Sequence, residues 1–264
     1  MKLHTETSGT GPDLVLIHGW GLHGGIWETL LPLLEPHLRV TVVDLPGHGH
    51  SGWRGQAGLP AFADAVLDSV PEQAAWLGWS LGGLVALQAA LARPERIGAL
   101  LLLASTPSFV RRPGWQSAML PALLDTFASE LEADFERTLG RFLALQVHGS
   151  RHAGEVLRQL RAGMLRRGQP DPAALRAGLG MLRDTDLRAD CAAIDCPALM
   201  LAGERDTLVP AAAARATVAL LPQGHIHMIA GGGHAPFLSA PGEVAGAVRD
   251  FLLPAESRLV NGNG

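Results

Sequence analysis

Apolar residues in this chain gather into short runs, separated by longer stretches in which they recur at helical spacing. Leu14-Val15-Leu16-Ile17 is an apolar run ending at His18-Gly19, and Val40-Thr41-Val42-Val43 is a β-branched run ending at Asp44. Ala74 to Leu77, Ile97 to Leu103, Pro197 to Leu201 and His225 to Ile229 repeat the pattern. Short apolar runs bounded by turn residues predict strands buried on both faces. Between them, Ile26 to Leu34, Pro60 to Val70, Leu84 to Leu91 and Val244 to Leu252 predict helices, and Arg93-Pro94 stops the third. Strands alternating with helices predict an α/β fold, a mostly parallel central sheet with helices on both faces.

The rhythm breaks between about Pro107 and Ala189. No strand is predicted there, only helices over Ala118 to Ser129, Glu132 to Leu145, His152 to Leu165 and Pro172 to Arg183. An insertion at the carboxyl ends of the strands of such a sheet sits over the active crevice as a lid. The expected division is therefore a core of residues 1–106 and 190–257, a helical cap of 107–189, and a flexible tail of 258–264.

Composition supports a large core. Hydrophobic residues make up 47% of the 264, and charged residues 17%, which disfavours disorder. No apolar run reaches the ~18 residues of a membrane helix. The N-terminus lacks a basic start followed by an apolar stretch, so no signal peptide is predicted. Cys191 and Cys196 match no zinc spacing and read as two free thiols of a cytoplasmic protein. A net charge of −4 argues against general nucleic-acid binding. Locally the sign reverses: Arg137, Arg141, Arg151, Arg158, Arg161, Arg166 and Arg167 face a single acid, Glu155, over that span. Alone, this is compatible with a solvated helix face or with a site for something negative.

Candidate chemistry begins at Gly78-Trp79-Ser80-Leu81-Gly82, a G-x-S-x-G turn between a strand and a helix. The turn is too tight for flanking side chains and lifts the Ser80 hydroxyl clear of the backbone. An alcohol needs a base to act as a nucleophile at neutral pH. His234, in Gly231-Gly232-Gly233-His234-Ala235-Pro236-Phe237, follows the last strand and is the expected base. Asp206, in Gly203-Glu204-Arg205-Asp206, follows the preceding strand and is the expected acid. Asp195 precedes that strand, and Glu204 reads as loop scaffold. An oxyanion hole is expected from the N–H groups of Leu81 and of Trp20 in His18-Gly19-Trp20-Gly21. Asp44-Leu45-Pro46-Gly47-His48-Gly49-His50-Ser51 reads as a tight loop bracing the site.

HGWG, DLPGHGHS, GWSLGG, GERDTLVP and GGGHAPF in this order resemble the α/β-hydrolase superfamily across nearly the whole chain. Within it, the sequence is similar to the pimeloyl-[acyl-carrier protein] methyl ester carboxylesterase family of biotin synthesis. The similarity rests on the Trp after His18-Gly19, the elbow, HAPF, and the cap string Asp134 to Thr138 through Arg141 to Gln146. The resemblance implies hydrolysis of the methyl ester of pimeloyl-acyl carrier protein, with release of methanol. It implies substrate contacts from Trp20, Ser80, Leu81, Phe142, Leu143, Ala144, Leu145, Gln146 and His234. It also implies docking of the acidic carrier protein on Arg137, Arg141 and Arg158. A monomer acting without metal or organic cofactor, and without nucleic acid or membrane, is expected. A generic carboxylesterase or lipase acting on short free esters is the alternative, since a triad alone does not choose between substrates. A non-catalytic binding protein is disfavoured because no triad member is missing. Dehalogenase and epoxide hydrolase chemistries use a carboxylate where this chain has Ser80.

Overall fold

The computed structural model describes residues 2–55, 58–164 and 166–253. Its strands are β1 (Thr5–Ser8), β2 (Asp13–Ile17), β3 (Arg39–Val43), β4 (Ala74–Trp79), β5 (Ile97–Leu103), β6 (Ala198–Gly203) and β7 (Gly224–Ile229). They form one sheet in the order β1-β3-β2-β4-β5-β6-β7. Every pairing is parallel except that of β1 with β3. Chain connections leave β2 toward β3 on one side, and β4 toward β5 on the other. Such a sheet binds ligands at the carboxyl ends of the strands flanking this switch. Those ends carry His18-Gly19 after β2 and Ser80 after β4.

The helices are α1 (Leu31–Leu34), α2 (Leu59–Leu67), α3 (Leu81–Ala92), α4 (Pro121–Ala133), α5 (Phe135–Val147), α6 (Ala153–Met164), α7 (Pro172–Asp184), α8 (Ala211–Ala219), α9 (Pro236–Ser239) and α10 (Pro241–Leu252). Strand residues alternate between two apolar cores. Val15, Ile17, Trp76, Leu100, Leu102 and Met200 face the core shared with α2, α3 and α8. Leu14, Leu16, Leu77, Leu101 and Leu201 face the one shared with α1 and α10. Helices α4 to α7 lie between β5 and β6, and their buried residues extend both cores.

Several elements depart from the sequence reading. The helix expected over Ile26 to Leu34 is split into a 3-10 turn, Gly24–Trp27, and the single turn α1. Pro32 lacks an N–H and its ring clashes with a preceding carbonyl inside a continuous helix, so it is accommodated only in the first turn of a new one. The helix expected from Ala118 begins instead at Pro121, again a first-turn proline. Strand β1 was not expected: it is short, polar and largely exposed, an edge strand with no apolar alternation to announce it. Residues 258–264, expected as a tail, and Leu165 lie outside the described residues.

Candidate active site

Ser80 is held in a conformation that its own side chain disfavours, with φ +54° and ψ −118°. The turn survives because its neighbours are glycines. A Cβ on Gly78 would run into the Gly82 carbonyl, and one on Gly82 into the carbonyls of Ile17 and His18. Leu103 O accepts the Ser80 N–H (3.0 Å), and the Ser105 hydroxyl donates to Ser80 O (2.7 Å). The elbow is thus tied to the end of β5 as well as to β4. Leu81 opens α3, so its N–H is among the four at a helix start that have no partner within the helix.

His234, distant in sequence, reaches Ser80. Its Nε2 lies 2.9 Å from Ser80 Oγ, and its Nδ1 lies 2.8 Å from Asp206 Oδ2. With Nδ1–H given to Asp206, Nε2 is left to accept the Ser80 proton. Asp206 Oδ1 accepts from the N–H groups of Leu208 (2.8 Å) and Val209 (2.9 Å). All three side chains are buried. The His234 backbone is clamped from both sides: Trp79 Nε1 donates to its carbonyl (2.7 Å), and its N–H donates to Gln146 O (3.1 Å). Glu204 accepts from Gly231 N–H (2.9 Å) and Asp195 from Gln223, so neither acid enters this chain of bonds.

The loop after β2 passes directly beside the serine. A Cβ on Gly19 would stand 3.3 Å from Ser80 Cβ and 3.1 Å from the Trp79 ring, so a larger residue would have to push these neighbours back by a few tenths of an ångström. His18 fixes this loop to the next. Its Nδ1–H donates to Gly19 O (2.8 Å), while its Nε2 accepts the Leu45 N–H (2.9 Å). Burial pushes its pKa down to about 3, and that of His48 down to about 4, so both rings are neutral braces. In the sequence His18 is marked only by its place in the HGWG motif. Ser105 left no sequence signal.

The residues expected to contact substrate divide between the two cores. Trp20, Leu81, Phe142 and Leu145 belong to one cluster. The Trp20 and Phe142 rings stand edge to face, 4.6 Å apart. Trp20 Nε1 donates to Leu175 O (2.9 Å), and a Cβ on Gly178 of α7 would press on the Trp20 ring and on Leu81 (3.3 Å). Leu143 belongs to the other cluster, so the structure does not bring it to Trp20. Ala144 is half-buried. Gln146 is buried, and its Oε1 has no hydrogen-bond partner among the described residues. Helix α5 thus meets Trp20 through Phe142, and α7 meets Trp20 and Leu81 beside Gly178.

Arg137 and Arg141 on α5, and Arg158 and Arg161 on α6, are exposed, as are Arg151 before α6 and Arg166 after it. Arg141 pairs with Glu130 and Arg166 with Glu28. Arg167 is turned inward onto Asp44 (3.2 Å) and Glu6 (2.7 Å). The thiols of Cys191 and Cys196 are both free. Among the described residues, no helix is long and apolar enough to cross a membrane.

The family model for the alpha/beta hydrolase fold matches residues 12–241. A pimeloyl-[acyl-carrier protein] methyl ester esterase of Photobacterium profundum is 47% identical over 247 residues, covering 94% of this chain and 97% of that relative. One from Stenotrophomonas maltophilia is 47% identical, covering 96% and 99%. Among solved structures, a hydrolase from Pseudomonas aeruginosa superposes with a TM-score of 0.81 at 27% identity, covering 95% of this chain and 94% of that one. The chain belongs to the alpha/beta hydrolase fold family, and within it to the family of these esterases.

Proposed function

We propose that the chain is a serine carboxylesterase that hydrolyses the methyl ester of pimeloyl-acyl carrier protein, yielding pimeloyl-acyl carrier protein and methanol in biotin synthesis. The observation that carries the chemistry is the continuous Ser80–His234–Asp206 chain of bonds at 2.9 and 2.8 Å. The choice of substrate is supported by relatives of that name matching at 47% identity along nearly the whole chain.

Ser80 attacks the ester carbonyl while His234 Nε2 takes its proton. Asp206 holds the ring in that tautomer and stabilises its charged form. The N–H groups of Trp20 and Leu81 hold the oxyanion, each worth roughly 10²–10³ in rate. His234 protonates the departing methanol, then draws a proton from the water that frees the acid. The acyl chain lies along Trp20, Leu81, Phe142 and Leu145, beneath a cap of residues 107–189. Ala144 and Gln146 complete this wall, and Leu143 supports it from behind. Arg137, Arg141 and Arg158 steer the acidic carrier protein, which raises association rate and adds salt sensitivity. The enzyme acts as a cytoplasmic monomer. Methanol release from pimeloyl-carrier methyl ester, measured beside hydrolysis of short p-nitrophenyl esters, tests the reading. Preference for the carrier-bound ester is expected. Equal or better turnover of the free esters would favour the generic carboxylesterase instead.

A further inference from the structure

Far from Ser80 along the sheet, on the edge strand, three side chains converge that the reaction above does not use. His4 immediately precedes β1 and Glu6 lies two residues on within it, and their side chains meet. His50 comes to the same spot from the loop after β3. His4 Nε2 lies 3.0 Å from Glu6 Oε1 and 3.4 Å from His50 Nδ1, and the three donor atoms all lie within 4.8 Å of one another. The two rings meet edge to face, 4.7 Å apart. We propose that His4, Glu6 and His50 form a binding site for a divalent transition-metal cation of the zinc type.

The donor set and spacing fit. Imidazole nitrogen and carboxylate oxygen bind zinc at about 2.0–2.2 Å, so tetrahedral neighbours stand roughly 3.3 Å apart. The 3.0 and 3.4 Å separations bracket that edge. The framework holding the donors is in place. Ser51 Oγ accepts the His4 N–H (2.9 Å), and Asp44 Oδ2 accepts the His50 N–H (2.9 Å). Glu6 Oε2 accepts from Arg167 Nη2 (2.7 Å), which leaves Oε1 turned to the rings. Supporting bonds of this kind orient ligands in metal sites. Burial works to raise the Glu6 carboxyl, but hydrogen bonds from His4 and Arg167 outweigh it and hold the group below its ordinary range. Arg167 does not cancel the site's charge, because Asp44 answers it on its other side (3.2 Å). The half-exposed cluster leaves an open coordination position for water. A bound cation would pin β1 to the loop that braces Ser80.

Calorimetric titration of chelator-stripped full-length protein with zinc at neutral pH tests the site, with melting temperature as a second readout. One zinc per chain is expected, with a melting temperature that rises with metal. His50→Ala and His4→Gln should each weaken binding about tenfold or more, since even supporting residues of metal sites act on that scale. His227→Ala, which removes a histidine paired with Glu243 elsewhere on the surface, should leave affinity unchanged. Absence of binding by the wild type would overturn the proposal. So would an affinity unmoved by His50→Ala and His4→Gln in variants that melt as the metal-free wild type does.

Discussion

The turn after β4 and the outer faces of α5 and α6 differ in what fixes them. At the turn the backbone leaves no choice: Ser80 has a positive φ, and the glycines around it stand where any Cβ would strike a carbonyl. Each polar side-chain atom of the three residues has a partner within 3 Å. On α5 and α6 the arginines are exposed, and Arg141, like Arg166 just beyond α6, already has an acid beside it. Chemistry is specified by packing, which tolerates few alternatives. The partner choice proposed for these arginines would rest on solvated charges, which many sequences supply. The first region accordingly announces itself in motifs, and the second only through resemblance.

Breaking the turn should have the largest effect. Ser80→Ala is expected to lower kcat by about 10⁶, the scale found when a triad nucleophile is removed, with folding intact by melting temperature. Asp206→Asn leaves the packing in place but lets His234 adopt the wrong tautomer, and about 10⁴ in kcat is expected to go. On the other side of the comparison, neutralising Arg137, Arg141 and Arg158 together should reduce kcat/KM for the carrier-linked ester by about tenfold at low salt. The same variant should turn over a small free ester at the wild-type rate. Equal losses on both substrates would show that these arginines serve the fold rather than the partner.

The smallest effect concerns the brace. His18 and His48 are neutral in the fold, with pKa values of about 3 and about 4, against an ordinary 6.5. An unfolded chain takes up protons at both rings as pH falls below about 6.5, while the folded chain does not. Their contribution to stability is therefore fully present above that pH. It declines toward pH 4 and 3, where the folded rings protonate too. Melting temperature measured against pH should be level above about 7 and fall below about 6. A curve level down to pH 4 would contradict this account of the two rings.

The sequence made most of the sheet legible because β2 to β6 are largely apolar runs that end at turn residues, while β7 alternates histidine with apolar residues. It also pointed to Ser80, His234 and Asp206, because each follows a strand, and the structure brings these three together. What escaped had physical causes. Strand β1 is polar on an exposed edge, and its position depends on pairing with β3. Pro32 breaks a stretch whose apolar spacing still reads as one helix. Leu143 and Phe142 are adjacent, yet they face different cores, and only the packing of α5 against its neighbours decides which side each takes. The bond from His234 N–H to Gln146 O involves backbone atoms, which no residue type advertises.

Labelling with a fluorophosphonate, which phosphonylates only activated serines, tests the central claim most directly. Peptide mapping should find one modified site, Ser80, and prior addition of pimeloyl-carrier methyl ester should slow the labelling. Modification at another serine, or labelling that the carrier-bound ester leaves unchanged, would contradict the account.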